Sequence, residues 1–415
     1  MTKRKIIKTK DCVIVVCIII LSFFSQLKCF DLSRLSIHVI WIIMGLLSAA
    51  IVLIPVYKIT KNTLYLIIAK ILFLFLYFLS GMINGEKVTV VPNTIVLIMI
   101  FLTCAYLSRT DIWYDFFFRS FTACAMVYSV AAILQLFWPE LIAIFTEKML
   151  SSERFEVNQF LVEHSYYVGI ASQASYQVHF VLPLLAFSFS KVVLSKKMNA
   201  TWLALLGISI MALLISNKRM PILAALISAV FCLCLMNNNL KTLKRSVPLV
   251  LAGGAFVIVV LESPYGEQVL NRLIATTTVD NTRYELWDTA LKLWHQYPLF
   301  GSGAGSFGRD MTLSVHNSYI QILCEQGLVG LALYLLIIGS NLFYSVSAFR
   351  FMFNSSRTSD NTNYLLGSIF FQMFCILHSI TESVFSNEIM FLPYQAISMI
   401  GLYAANEQKT NYPKP

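Results

Sequence analysis

Apolar runs of about 17 to 23 residues recur along nearly the whole chain, and this one feature dictates what the chain can fold into. A helix of that length crosses a hydrocarbon core of roughly 30 Å. Inside lipid every backbone N–H and C=O must be bonded within the protein, which leaves helices and closed barrels as the only spanning structures. Barrel strands would be about half as long and would alternate in polarity. With 58% hydrophobic and 13% charged residues, the 415-residue chain also lacks the polar surface of a soluble globule. The expected fold is an all-α polytopic membrane protein of about 12 transmembrane helices. The spans are read at 12–27, 35–57, 63–83, 92–107, 119–138, 166–190, 199–216, 220–236, 247–262, 326–348, 363–380 and 388–404.

Charge sets the orientation. The formal net charge is +10, but the basic residues sit in short clusters between apolar runs, without the interleaved aromatics of a nucleic-acid surface. Placing the start, Met1-Thr2-Lys3-Arg4-Lys5, inside makes every second connection cytoplasmic. Those segments hold Lys58, Lys61, Arg109, Arg119, Lys191, Lys196, Lys197, Lys241, Lys244, Arg245, Arg350 and Arg357. The positive-inside rule therefore predicts cytoplasmic N- and C-termini and an even number of spans. The basic start resembles a signal peptide, but an A-x-A-like cleavage site is missing, so a retained first helix is expected. Lys70, inside the third span, is expected to snorkel to the interface. The nine cysteines suggest neither a disulfide framework nor a metal site, since Cys232 and Cys234 lack C-x-x-C spacing.

Two predicted external segments exceed a simple turn, 139–165 and 263–325. The domain organisation follows: helices 1 to 9 over 1–262, an external catalytic loop over 263–325, and helices 10 to 12 with a cytoplasmic tail over 326–415. Within the long loop, Leu286, Trp287, Ala290, Leu291, Leu293 and Trp294 fall on one side of a helical pattern. Glu285, Asp288, Lys292 and His295 fall on the other, which predicts an amphipathic helix at the membrane surface, stopped by Pro298.

Chemistry should lie where polar residues break these rules. Lys218 and Arg219 occupy a very short external turn, a poor place for two cations unless an anion is met there. A guanidinium fork matches phosphate oxygens, and ordinary phospholipid headgroups are the simpler partner. Arg283 stands near a helix N-terminus, against the macrodipole, which implies a compensating contact, most simply Glu285 or Asp288. The stretch from Gly301 to Gly308 is no dinucleotide fingerprint, because it opens no βαβ unit; its glycines suit a tight turn or close backbone approach. His316 ends the long loop, and imidazole is the side chain best suited to take a proton from a hydroxyl near neutral pH. His164, Glu163 and Glu382 are further external candidates.

His316-Asn317, nine residues, then Gly327-x-x-Gly330 resembles the signature of the O-antigen ligase and Wzy-type polymerase superfamily, which reads His, then Asn, Ser or Gln, nine residues, then Gly-x-x followed by Gly, Thr or Tyr. The run from Arg283 to Trp287, with Pro298 and the glycines at 301, 303 and 305, is similar to the family's approach to that histidine. The family's external arginine two spans earlier is matched by Arg219, although two basic residues stand here where one is usual, Lys218 and Arg219. The resemblance implies a GT-C-like enzyme of the bacterial cytoplasmic membrane with its active site on the outer face. The donor would be a glycan on undecaprenyl diphosphate, bound by Arg219 and Arg283 with Lys218. His316 would act on the acceptor hydroxyl, with inversion at C1, while Asn317 and Tyr284 line the substrate site. No metal and no cofactor are expected. Membrane lipids and a lipid-linked acceptor are the expected partners, a chain-length regulator is admitted, and nucleic acid is not. Polymerase is preferred, ligase transfer to lipid A core is the alternative, and a secondary transporter is the rival from another class.

Overall fold

Among the described residues every regular element is a helix, in a computed structural model that describes residues 9–28, 60–83, 87–195, 199–236, 278–311, 314–355, 360–384 and 388–411. The expected spans at 35–57 and 247–262 lie outside the described residues. So do Lys58, Lys196, Lys197, Lys241, Lys244, Arg245 and Arg357, and the part of the long loop from 263 to 277.

α1 (Thr9–Ile19) runs on through one π-turn at Ile20–Phe24, followed by α2 (Lys61–Ile83), α3 (Lys87–Leu107) and α4 (Tyr114–Phe137). The segment from 139 to 165 is a pair of short helices, α5 (Pro139–Met149) and α6 (Ser152–Glu163), with Pro139 at the first turn where its missing N–H costs nothing. α7 (Ala174–Leu194), α8 (Ala200–Ile215) and α9 (Arg219–Leu235) are apolar, and Asn199 caps α8 by accepting from Thr201 N. α10 (Thr278–Gln296) and α11 (Ser306–Met311) precede α12 (Ser318–Asn354), α13 (Asp360–His378) and α14 (Glu388–Asn411). By length and composition, Thr63–Ile83, Tyr114–Phe137, Ala174–Leu194 and Ser318–Asn354 can cross a membrane.

α7, α13 and α14 form the middle of the bundle. α7 packs on α4, α8 and α13, while α14 packs on α12, α13 and α3; α9 covers α13, and α2 lies against α3 and α12. Without a hydrophobic drive between helices in lipid, close approach and internal polar bonds must hold them. Gly367 lets α13 meet Phe187 of α7, where a Cβ would stand 2.3 Å from its Cδ1, and Gly401 of α14 makes room for Ser345 of α12. Gln372 donates to Ser345 Oγ at 2.8 Å, tying α13 to α12. Outward faces stay apolar, as at Tyr65, Ile71 and Phe75 of α2 and Phe343 of α12, all exposed.

Two expectations are corrected. Lys70 does not snorkel: it is buried, donates to Gln395 Oε1 at 3.0 Å and lies over the Phe101 ring. Nor does α10 turn its apolar stripe to the membrane surface, because Leu286 and Ala290 pack into a small cluster with Phe307, Val315 and Cys324. What α10 and its sequel expose is an apolar tip, Tyr297, Leu299 and Phe300.

The connections predicted to be external gather at one end of the bundle. Asn217 reaches Ser165 O, Lys218 reaches Glu382, and Ser318 N donates to Ser379 O. At the other end, Tyr364 meets Asp115 and Thr60 meets Asn406.

Candidate active site

The site is built on a broken helix. α12 runs from Ser318 across Gly327, whose φ of 67° and ψ of −169° are not helical. A break leaves the carbonyls of the first piece and the N–H groups of the second unbonded. The loop 298–303 satisfies both. Ser302 N and Gly303 N donate to Cys324 O and Glu325 O, each at 2.9 Å, while Leu328 N and Val329 N donate to Pro298 O at 2.9 Å and Leu299 O at 3.2 Å. Such contact excludes side chains: a Cβ on Gly327 would lie 2.3 Å from Leu299 C and O, and one on Gly301 2.3 Å from Gln326 N.

The spacing of the His–Asn…Gly motif now has a physical meaning. Asn317 is the N-cap of α12, its side chain accepting from Tyr319 N at 3.0 Å and Ile320 N at 3.1 Å. The nine residues between Asn317 and Gly327 form the short helix between cap and break. Asn317, expected beside the substrate, thus has its carboxamide oxygen engaged in holding that helix. Just before it, His316 has a φ of 51°, a left-handed backbone that costs a non-glycine residue on the order of 1 kcal/mol. Its surroundings hold it there, since Trp287 Nε1 donates to Val315 O at 3.0 Å and Ser318 N to Ser379 O at 2.9 Å.

Around His316 the structure assembles charges from distant segments on one carboxylate, Glu382, in the turn between α13 and α14. Lys218 ion-pairs with Glu382 Oε1, Arg283 Nη2 lies 4.0 Å from the same oxygen, and His316 Nδ1 lies 3.5 Å from Oε2. Lys218 also donates to Ser175 Oγ at 2.8 Å. Ser175 is located by the preceding turn, where Gln135 Oε1 accepts from Val168 N and Gly169 N. The Glu382 side chain is 8% exposed, while that of His316 is 40% exposed with Nδ1 itself buried and without a hydrogen-bond partner among the described residues, so the open part of the ring is elsewhere. Burial alone would raise the Glu382 carboxyl, but Lys218 and the contact from His316 outweigh it and hold it well below the usual carboxylate range. Nearby, His378 and His179 form a buried pair, Nδ1 to Nε2 3.3 Å.

Of the residues singled out in the sequence, Lys218, Arg283 and His316 meet at Glu382. Arg219 follows as the half-buried first residue of α9, so the ion pair to Glu382 belongs to the other member of that basic pair. Arg283 reaches Glu382 while Asp288, one of its expected local partners, pairs with Lys292. Tyr284 is 64% exposed beside Trp287. His164 bonds Phe160 O at the end of α6. Glu382 stood out least in the sequence, its one signal being an acid in a short polar turn.

Two cations, a buried carboxylate and an imidazole at one end of an apolar bundle suit an anionic substrate whose remainder is lipid-soluble. Residues 204–335 match the family described as O-Antigen ligase, a stretch that holds Lys218, Arg219, Arg283 and His316 and leaves Glu382 and Ser175 outside. No curated protein matches the chain.

Proposed function

We propose, from the match of residues 204–335 to the family described as O-Antigen ligase, that the chain is a polysaccharide polymerase, moving a glycan from an undecaprenyl-diphosphate donor onto a lipid-linked repeat unit. The observation that carries this reading is the convergence of Lys218, Arg283 and His316 from three separate segments. α9 and α12 also begin there, at Arg219 and Ser318, and helix N-termini favour anions.

In the proposed reaction Arg219, Arg283 and Lys218 hold the diphosphate at the outer face of the cytoplasmic membrane, with the prenyl tail in lipid. His316 takes the proton of the acceptor hydroxyl, and the freed oxygen attacks C1 from the face opposite the diphosphate. The C1–O bond breaks, its electron pair leaves with the lipid diphosphate, and the cations meet the charge that develops. The configuration at C1 inverts. The diphosphate is already an activated leaving group, so the chemistry is proposed to be metal-independent and of the GT-C-like kind. A chain-length regulator fits a polymerase as a partner.

The test is a reconstituted assay with purified lipid-linked donor and acceptor, run with a chelator. His316→Ala should lose turnover but keep donor binding, because a base acts in the transition state; Arg219→Ala should weaken donor binding. A general base contributes about 10²- to 10⁴-fold, so a loss below about tenfold in His316→Ala would remove His316 from the role. Ligase activity is the second reading, favoured by the description of the matched family. A deletion strain separates the two: single repeats on the surface mean polymerase, and polymer held on the carrier lipid means ligase.

A further inference from the structure

We propose that Glu382, which lies outside the matched stretch, is the positioning residue of this reaction: one oxygen fixes the tautomer of His316 and the other holds the donor-binding cations away from it. The proposal rests on the transfer reaction set out above.

The geometry divides the carboxylate in two. Oε1 faces Lys218 and Arg283, and Oε2 faces His316 Nδ1 at 3.5 Å. Nδ1 is buried and makes no hydrogen bond as placed, so Oε2 at 3.5 Å is the acceptor on which an N–H there can close, and a neutral imidazole that does so carries its one proton on Nδ1. Nε2 is left with its lone pair for the acceptor hydroxyl. The turn bearing Glu382 is fixed to the start of α12, because Ser318 Oγ donates to Glu382 O at 3.0 Å and Ser318 N to Ser379 O at 2.9 Å. Base and carboxylate are therefore anchored to each other through residues 316 to 318.

The charge argument points the same way. When the acceptor proton reaches Nε2, His316 becomes an imidazolium among cations. Lys218 from the α8–α9 connection and Arg283 from α10 face the same carboxylate, with His378 of α13 close by and His179 of α7 beyond it. Without an anion between them, proton transfer would build positive charge against positive charge. Glu382 supplies that anion and takes no proton. The proton stays on Nε2, the acceptor oxygen bonds C1, and the diphosphate leaves with the electron pair.

Glu382→Gln keeps the shape and removes the charge. It should lower kcat by at least about tenfold, a loss that reports general-base efficiency. It should also move the acid limb of kcat/KM to lower pH, because the imidazolium loses its anion and keeps its cations. Glu382→Asp keeps the charge but withdraws it, so it should lose part of kcat and leave the acid limb near its original place. Full kcat in Glu382→Gln, or a lower kcat with an unmoved acid limb, overturns the proposal, the second result marking Glu382 as merely structural. If Glu382→Gln does not accumulate in the membrane, Glu382→Asp decides, and an unchanged kcat there overturns the idea. An active His316→Ala would instead defeat the base reading beneath it. An inactive His316→Ala beside a fully active Glu382→Gln would defeat this proposal alone.

Discussion

Replacing Gly327 by alanine tests whether the broken helix is what holds the site together. At φ 67° and ψ −169° Gly327 lies in a region essentially closed to other residues, and forcing a side chain there costs about 1–3 kcal/mol. The new Cβ would stand 2.3 Å from Leu299 C and O and 2.5 Å from Phe300 N, all backbone atoms that no rotamer change can move aside. To admit it the loop 298–303 must retreat from α12, which endangers the bonds from Ser302, Gly303, Leu328 and Val329. Each is worth about 0.5–1.5 kcal/mol net. The combined loss is several kcal/mol, a large part of the roughly 5–15 kcal/mol by which proteins are commonly stable. Gly327→Ala should therefore fail to give a monodisperse protein in detergent, or melt far below the parent in a thermal-shift assay. Gly339→Ala is the control on the same helix, since its Cβ would meet nothing within 4 Å. It should be neutral or raise Tm slightly, as the replacement of a helical glycine does. A Gly327→Ala protein as stable and active as Gly339→Ala would refute the reasoning.

Lys218→Met should destabilise by about 3 kcal/mol, the low end for breaking a buried pair because Arg283 remains near. Lys218→Met with Glu382→Gln should recover part of that loss, and simple additivity of Tm changes would show that the two do not interact. Reporter fusions after Ser263 and within 300–315 should read external, while fusions near Lys196 and Lys244 should read cytoplasmic. Opposite signals at either pair would invert the orientation and put the site on the wrong face for a lipid-linked donor.

The helices were legible because lipid imposes a length and a composition on each one, and α2, α8 and α9 begin and end close to the apolar runs that announced them. The predicted edge of the tenth span at 326 marks something real, the break beside Gly327, but Asn317 starts the helix earlier because a capping side chain outweighs mere polarity in 318–326. Lys70 misled because a lone lysine near a span's end snorkels by default, and its bond to Gln395 joins residues far apart in the chain. The same limit left the centre of the site as no more than one of three further external candidates. Lys218, Arg283 and His316 each broke a local rule and could be noticed one by one. Glu382 broke none, and only the packing of α13 and α14 against α9 and α12 brings it to them.

The nine-residue helix between Asn317 and Gly327 behaves as a ruler whose marks matter more than its material. One residue added or removed within it would turn its two ends about 100° relative to each other and shift them by about 1.5 Å. His316 would then swing off Glu382 while the glycine still docked on Leu299, or the reverse. Substitutions along the ruler's outer side are tolerable in a way that a single insertion is not. Variation in this segment should therefore run through residue identity and never through length, and a designer wishing to move the histidine must rebuild the turn at Glu382 with it.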